Sequence, residues 1–206
     1  MTTAPLIHVV DDDKSMRNAL VRLLSAAGFE VRCYASTGDF LLHPLPDRPG
    51  CLLLDMRLPG PSGLELQAAL QKQGALLPVV FLTGHGDVSS TVRGMKAGAV
   101  DFLTKPVKRD ILLDALKRAL ARDTQQRTSR DETGRLHARI DSLTQRERAV
   151  FDGVATGKLN KQIAQELGVA ERTIKRYRGQ VMEKLGAKSP ADLGRVAELL
   201  RHPLER

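Results

Sequence analysis

Acidic, hydroxyl and ammonium side chains follow four apolar runs in the N-terminal part of the chain. Asp11 and Asp12 come directly after the run LIHVV, and Asp55 ends the run CLLLD. Thr83 ends the run PVVFLT, and Lys105 comes directly after VDFLT. Because the carboxyl ends of parallel strands meet at one edge of a sheet, we expect these five side chains to lie close together.

This set of side chains predicts a particular chemistry. Three neighbouring carboxylates repel one another unless a cation neutralises them, and ligation by oxygen alone suits Mg²⁺. A carboxylate beside Mg²⁺ can attack phosphorus and become an acyl phosphate. The ammonium of Lys105 can neutralise one phosphoryl oxygen, and the hydroxyl of Thr83 can donate a hydrogen bond to another. The residues therefore predict phosphoryl transfer, which needs mainly positioning and neutralisation of charge.

Short apolar runs that alternate with amphipathic segments must position these side chains. Runs such as CLLL and PVVFL are apolar without alternation, which is typical of parallel strands buried on both faces. The regular alternation of strand and helix predicts an α/β fold, with a doubly wound five-stranded parallel sheet and helices on both faces. The predicted strands are 6–10, 30–34, 51–55, 78–83 and 100–104, and the predicted helices are 15–28, 62–74, 87–99 and 108–122.

The sequence changes character after residue 122. Residues 123–141 have almost no apolar side chain before Leu136 and are predicted to form a linker. Gly134 disfavours one unbroken helix there, but whether the linker continues the preceding helix stays open. Residues 142–206 contain no strand-like run and predict a small all-α domain. Its four predicted helices are 144–157, 160–168, 171–186 and 189–200, with Asn160 as an N-cap.

The distribution of charge favours a polyanionic partner for the C-terminal part. The formal net charge of +8 divides into +2 for residues 1–123 and +6 for residues 124–206. Nucleic acid is the expected partner of such a basic segment. No apolar stretch approaches the ~18 residues of a membrane span, and no signal-peptide pattern is present, so we expect a cytoplasmic protein without membrane contacts.

Several motifs together resemble one known family. The segments VVDDDKSMR, CLLLDMRLPGPSGLEL, VVFLTGHGDV and MKAGAVDFLTKP resemble the receiver domain of bacterial two-component response regulators. The segment from LTQRERAVFDG to KSPADL resembles the LuxR-type helix-turn-helix of the NarL/FixJ group. The resemblance implies a flavodoxin-like receiver domain in residues 1–122 with strand order 2-1-3-4-5, and a helix-turn-helix DNA-binding domain in residues 142–206.

The resemblance also implies roles for the acidic residues. Asp55 is expected to accept a phosphoryl group from a sensor histidine kinase. Asp11 and Asp12, together with Asp55 and the backbone carbonyl of Arg57, are expected to hold Mg²⁺ or Mn²⁺. Asp13 is expected to begin the following helix rather than to bind the cation.

Three further residues of the receiver segment receive roles from the resemblance. Lys105 is expected to contact the phosphoryl group, and its bond to Pro106 is expected to be cis. Thr83 and Phe102 are expected to form a switch pair that responds to phosphorylation. The resemblance implies no turnover of a separate substrate, only Mg²⁺-dependent self-phosphorylation from a donor and self-dephosphorylation.

The third C-terminal helix, 171–186, is the predicted recognition helix. Its Ile174, Tyr177, Val181 and Leu185 recur at helical spacing and are expected to face the core. Tyr177 stands where the family often has histidine, and Gly179 removes a side chain where some relatives place a cation. The expected DNA-binding residues are Lys175 and Arg176 for base edges, with Arg172 on the same stripe, and Asn160, Lys161, Thr173, Arg178 and Lys188 for phosphates.

The resemblance implies a regulator of transcription in which phosphorylation of Asp55 controls promoter binding. Homodimerisation on phosphorylation, activation of transcription and contact with RNA polymerase are expected with it. One alternative is an Asp-nucleophile phosphohydrolase, although Arg57 stands where such an enzyme needs its second carboxylate. Another is a response regulator whose C-terminal domain binds protein or RNA rather than DNA.

Overall fold

The structure is a computed structural model that describes residues 4–84 and 88–201. The chain divides into two compact units, one up to Thr128 and one from Ser129 onwards. Across the part of the chain that the structure describes, no helix is both long enough and apolar enough to cross a membrane.

The first unit contains a parallel five-stranded sheet in the order β2-β1-β3-β4-β5, as predicted. Each strand lies within one residue of its predicted bounds. Its apolar runs fill both faces, because Ile7 and Val9 point to one side and Leu52 and Leu54 to the other. The strands are β1 (Leu6–Val10), β2 (Glu30–Tyr34), β3 (Gly50–Asp55), β4 (Val79–Thr83) and β5 (Asp101–Thr104).

Helices cover both faces of the sheet. One face packs against α1 and α5 through leucines such as Leu24 and Leu112. The other packs against the helices between them through Phe40 and Leu66. The helices are α1 (Lys14–Ala26), α2 (Thr37–Leu41), α3 (Gly63–Lys72), α4 (Val88–Lys96) and α5 (Arg109–Asp141).

The short helix α2 was not among the predicted elements. It has only five residues, too few to show a periodic apolar stripe. Its start is nevertheless marked in the sequence, because the Ser36 hydroxyl accepts a hydrogen bond from the backbone N–H of Asp39 at 3.1 Å. A serine followed three residues later by an acid is the signal that could have located it.

The predicted linker is helical, because α5 continues through residues 123–141. Gly134 disfavours an unbroken helix but does not interrupt this one, which answers the question that the sequence left open. A glycine inside a helix costs only about 1 kcal/mol relative to alanine, which neighbouring turns can offset. Leu136 and Ile140, in the last turns of α5, pack in the core of the second unit and give those turns a tertiary contact.

The second unit contains the four predicted helices. One of their predicted start signals is wrong, since Leu159 and not Asn160 occupies the N-cap position of α7. The Gln162 side chain accepts a hydrogen bond from the Leu159 N–H at 2.8 Å, and the Asn160 side chain binds elsewhere. The helices are α6 (Gln145–Ala155), α7 (Asn160–Leu167), α8 (Glu171–Leu185) and α9 (Pro190–Arg201).

A buried carboxylate fastens α5 to the start of β3. Asp123 is 2% exposed and accepts hydrogen bonds from the Gly50 N–H at 3.0 Å and from Arg127 Nε at 2.8 Å. Arg127 also binds Asp47, whose side chain is fully exposed. The two acids therefore contact the same guanidinium in different environments.

We expect Asp123→Ala to lower the free energy of unfolding of the first unit by about 2–3 kcal/mol, because it leaves a buried N–H and a partly buried guanidinium without their acceptor. Asp47→Ala should change it little, because water screens and replaces the exposed pair. Urea unfolding of the full chain, followed by circular dichroism, measures both. A loss for Asp123→Ala no larger than that for Asp47→Ala would contradict the buried anchor.

Candidate metal centre and nucleic-acid interface

Three carboxylates meet at the carboxyl edge of the sheet, as the strand-end pattern predicted. Asp11 follows β1 and Asp55 ends β3, and these strands are direct neighbours in the sheet. Asp11 and Asp55 are buried, whereas Asp12 is exposed. Each of the three residues offers a carboxylate oxygen within 4.8 Å of the others. Such a cluster can bind a small cation.

The ammonium of Lys105 joins two of these carboxylates. Its Nζ lies 2.6 Å from Asp11 Oδ2 and 2.5 Å from Asp55 Oδ2. Burial would lower the pKa of Lys105, but the hydrogen bonds to both acids and their negative charges outweigh it, and the pKa lies above its usual value. Lys105 is therefore charged, and the bond to Pro106 is cis, as expected.

The loop that carries Asp11 is fixed by hydrogen bonds on several sides. The Asp13 N–H donates to Asp11 Oδ1 at 2.9 Å, and the Asp13 side chain caps α1 by accepting from Ser15 N–H, as predicted for the start of this helix. Arg17 donates from Nη1 to the Asp11 carbonyl oxygen at 2.6 Å. Sequence reasoning missed Arg17. The sequence signal that could have identified Arg17 is a cation in the first turn of α1, on the side nearest the strand end.

The backbone around Asp55 is also fixed by local contacts. Asp55 Oδ1 accepts a hydrogen bond from the Arg57 N–H at 3.0 Å. Gly63 begins α3 directly against this turn, and a Cβ atom at that position would lie 2.5 Å from the Asp55 carbonyl oxygen. Only glycine allows so close an approach, so α3 and the turn after β3 have one relative position.

Thr83 and Phe102, the expected switch pair, lie on one face of the sheet. Thr83 is buried at the end of β4, two residues after Phe81, so both side chains point to the same side. Phe102 pairs with Phe81 across the strands and stacks on it with ring centroids 4.6 Å apart. The Phe102 ring is half-buried and contacts the core that α2 and α3 cover.

The acidic cluster fits a divalent cation. Its donors are carboxylate oxygens only, which suits Mg²⁺ or Mn²⁺ better than a soft metal. One ammonium among three carboxylates leaves net negative charge, and the exposed Asp12 keeps one side open to solvent. The structure places Asp11, Asp12 and Asp55 together, which the predicted ligand set requires.

In the second unit, α8 separates an apolar from a cationic side. Ile174, Val181 and Leu185 are buried, and Tyr177 is half-buried beside them. The residues expected to contact bases or phosphates lie mostly on the surface. Arg172, Lys161, Lys175, Arg176 and Lys188 are exposed, and Thr173 is half-buried.

The remaining two phosphate candidates bind one another at the start of α7. Arg178 donates from Nη1 to Asn160 Oδ1 at 2.5 Å. Both line an open cavity of about 590 Å³ together with Lys158 and Lys161. Lys158 is paired with Glu166, so Lys161 and Arg178 are the cations at this opening that suit an anion such as a backbone phosphate. Glu171 also lines the cavity and limits its positive charge.

An ion pair between a buried carboxylate and an exposed ammonium joins α8 to α6. Glu147 is 4% exposed and accepts from Lys184 Nζ at 2.7 Å and from the Thr144 N–H at 2.7 Å. The hydrogen bond from Lys184 and that from Thr144 lower the pKa of Glu147. Thr144 and Glu147 form a capping box, so this acid both starts α6 and holds α8. Sequence reasoning missed Lys184 as the partner of Glu147.

Comparison with known proteins gives two family matches. Residues 7–117 match the response regulator receiver domain, and residues 141–197 match the bacterial regulatory proteins of the luxR family. The chain is 47% identical to nodulation protein W of Bradyrhizobium diazoefficiens over 97% of this chain and 88% of that protein. It is 41% identical to the transcriptional regulatory protein FixJ of Azorhizobium caulinodans, over 94% and 92% respectively. The low-resolution structure of the response regulator StyR aligns with a TM-score of 0.83 at 45% identity, covering 95% of this chain and 99% of that one.

Two adjacent acids allow a sharp test of the cation site. Asp12→Asn should weaken Mg²⁺ binding by about tenfold or more, because it removes one charged ligand. Asp13→Asn should change it by no more than about twofold, because the Asp13 charge is outside the cluster and screened. Asparagine caps helices as well as aspartate, so α1 is kept. Titration calorimetry at constant ionic strength measures both, and equal losses would contradict the assignment of the site.

Proposed function

The chain belongs to the two-component response regulators that combine a receiver domain with a LuxR-type DNA-binding domain, and on that premise we propose that phosphorylation of Asp55 controls its binding to promoter DNA. As a member of this family it is a two-component transcriptional regulator rather than a typical enzyme. A sensor histidine kinase and double-stranded DNA are the partners that its two domains imply.

The convergence of Asp55, Asp11 and Lys105 carries this proposal. A carboxylate oxygen of Asp55 attacks the phosphorus of a phosphohistidine, and the P–N bond breaks. An acyl phosphate forms on Asp55, and the histidine imidazole is the leaving group. Mg²⁺ held by Asp11, Asp12, Asp55 and the Arg57 carbonyl would neutralise phosphoryl oxygens. The ammonium of Lys105 then leaves the carboxylates and pairs with a phosphoryl oxygen.

The alternative of a phosphohydrolase lacks an important group. Such an enzyme needs an acid or base near the leaving group, and two residues after Asp55 the chain has Arg57. A guanidinium does not titrate near neutral pH and cannot take that role. The site therefore supports acceptance of a phosphoryl group and self-dephosphorylation rather than turnover of a free substrate.

The switch transmits phosphorylation to the surface of the receiver. We propose that the Thr83 hydroxyl donates to a phosphoryl oxygen and that Phe102 moves with it. The surface made by α4, β5 and α5 then favours homodimerisation by a shift of populations. Two DNA-binding domains would address two half-sites, whose spacing follows the geometry of the dimer. We further propose that the protein acts in the cytoplasm and activates transcription through contact with RNA polymerase.

A titration of duplex DNA tests the switch. Mg²⁺ with beryllofluoride, a mimic of the acyl phosphate, should raise DNA affinity by about 5–150-fold, the usual range for coupling between two sites. Asp55→Asn should show the same affinity with and without beryllofluoride, because the amide cannot take up the group. Genomic fragments bound by the chain supply the duplex. Equal affinity of the wild-type protein in both states would overturn the switch.

Substitutions in α8 and α7 test the DNA contacts. Lys175→Ala and Arg176→Ala should each cost about 1–3 kcal/mol of preference for the selected duplex, because they remove contacts to base edges. Lys161→Ala should weaken binding to all duplexes alike and reduce the slope of log affinity against log salt by about 1, because it removes a phosphate contact. The control is Lys72→Ala, an exposed lysine of α3.

A duplex affinity as insensitive to Lys175→Ala, Arg176→Ala and Lys161→Ala as to the control Lys72→Ala would contradict this assignment. Binding of RNA or protein by the C-terminal domain, with no duplex affinity at any salt concentration, would favour the alternative output.

A further inference from the structure

The last turn of α4 is held by side chains from α3. Gln67 Nε2 donates hydrogen bonds to the carbonyl oxygens of Gly94 at 3.3 Å and of Ala97 at 2.9 Å. Gln71, one turn later in α3, donates only to the Ala97 carbonyl. The Gly94 carbonyl also accepts a hydrogen bond from the backbone N–H of Ala99 at 3.0 Å. The carbonyls that end a helix lack a partner within it, and the two glutamines of α3 supply donors to the Ala97 carbonyl.

Gln67 and Gln71 differ in burial. The Gln67 side chain is 3% exposed, whereas Gln71 is exposed. The Gln67 amide has a fixed orientation, because the reverse one would place its oxygen against two carbonyl oxygens. Among residues 4–84 and 88–201 its Oε1 has no hydrogen-bond partner. Burying an amide oxygen without a partner destabilises the fold, and the two hydrogen bonds that the Gln67 N–H groups donate to the end of α4 offset that loss.

Gly94, whose carbonyl accepts a hydrogen bond from Gln67, forms one wall of the site in which the Phe102 ring packs. A Cβ atom on Gly94 would lie 2.6 Å from Phe102 Cζ and 3.2 Å from Leu64 Cδ2. On its other side the Phe102 ring stacks on Phe81. The ring therefore occupies a slot between β4 and the backbone of α4, and the width of this slot depends on where Gly94 lies.

We infer that Gln67 is a positioning residue for the switch, because by holding the Gly94 carbonyl it fixes the slot in which Phe102 packs. The inference rests on the proposed function. Among the side-chain hydrogen bonds from α3 to this turn in the described residues, Gln71 to Ala97 would then remain, and the Gly94 carbonyl would keep its backbone partner Ala99 but lose its link to α3. The Phe102 ring would then change position independently of Asp55. Gln67 does not contact the acidic cluster, so acceptance of the phosphoryl group should not depend on it.

Fluorine NMR of the full chain labelled with 4-fluorophenylalanine measures the environment of Phe102. The chain has five phenylalanines, and Phe102→Leu assigns the signal. In the wild type this signal should shift on addition of Mg²⁺ and beryllofluoride. Gln67→Met removes both hydrogen bonds and keeps a similar side-chain volume. In this variant the Phe102 signal should be shifted or broadened before beryllofluoride is added. The ratio of DNA affinities with and without beryllofluoride should fall about fivefold, the effect of losing one net hydrogen bond.

Gln71→Met is the matched control, because it makes the same change in the same helix without touching Gly94. It should keep the wild-type signal and ratio. Phosphorylation from acetyl phosphate should proceed at the wild-type rate in both variants. Gly94→Ala tests the slot from the other side, and its methyl group should displace the Phe102 signal without beryllofluoride.

Two results would overturn the inference while leaving the proposed function intact. One is a wild-type signal and affinity ratio in Gln67→Met, and the other is an equal effect of Gln67→Met and Gln71→Met. An unchanged Phe102 signal in Gly94→Ala would overturn it even if Gln67→Met failed to fold. A wild-type signal that does not respond to beryllofluoride would overturn the switch itself, and the inference with it.

Discussion

Repulsion among three carboxylates at the carboxyl edge of the sheet is the interaction on which the receiver domain depends. The backbone holds Asp11 and Asp55 at the ends of adjacent strands, so these charges cannot move apart. Lys105 neutralises part of their charge by bridging both acids. Charge remains for a divalent cation, and a phosphoryl group on Asp55 would give Lys105 a new partner. On the proposed function, the site would therefore have two charge states with different preferred contacts.

In the proposed switch, the fold would convert this local difference in charge into a difference in shape. β4 and β5 bring Thr83 and Phe102 to one face of the sheet, beyond the strand that carries Asp55. On that face Phe102 packs between Phe81 and Gly94, and α3 holds the end of α4. A close-packed slot of this kind accepts a ring in few positions, so a small shift at Thr83 favours one arrangement over another.

Most of the fold could be predicted from the sequence, because buried parallel strands are short apolar runs and the helices between them carry an apolar stripe. The acidic cluster could also be predicted, since strand order brings residues at strand ends together. Side-chain contacts between neighbouring helices could not. In the sequence Gln67 is an ordinary polar residue, and its role depends on contact with the end of α4, about thirty positions later. Asn160 was predicted as an N-cap, but Leu159 occupies that position. The helix α5 continues through Gly134 because packing of Leu136 and Ile140 offsets a weak local preference.

A crystal structure of the full chain with Mg²⁺ and beryllofluoride tests the central claim most directly, that one cation and one phosphoryl group use all the strand-end residues together. We expect beryllium on a carboxylate oxygen of Asp55 and Mg²⁺ on Asp11, Asp12 and the Arg57 carbonyl. Lys105 should have left Asp11 and should contact a fluorine atom, as should the Thr83 hydroxyl. Beryllofluoride bound elsewhere, or Lys105 still bridging Asp11 and Asp55 in a complex with both ligands bound, would contradict the account.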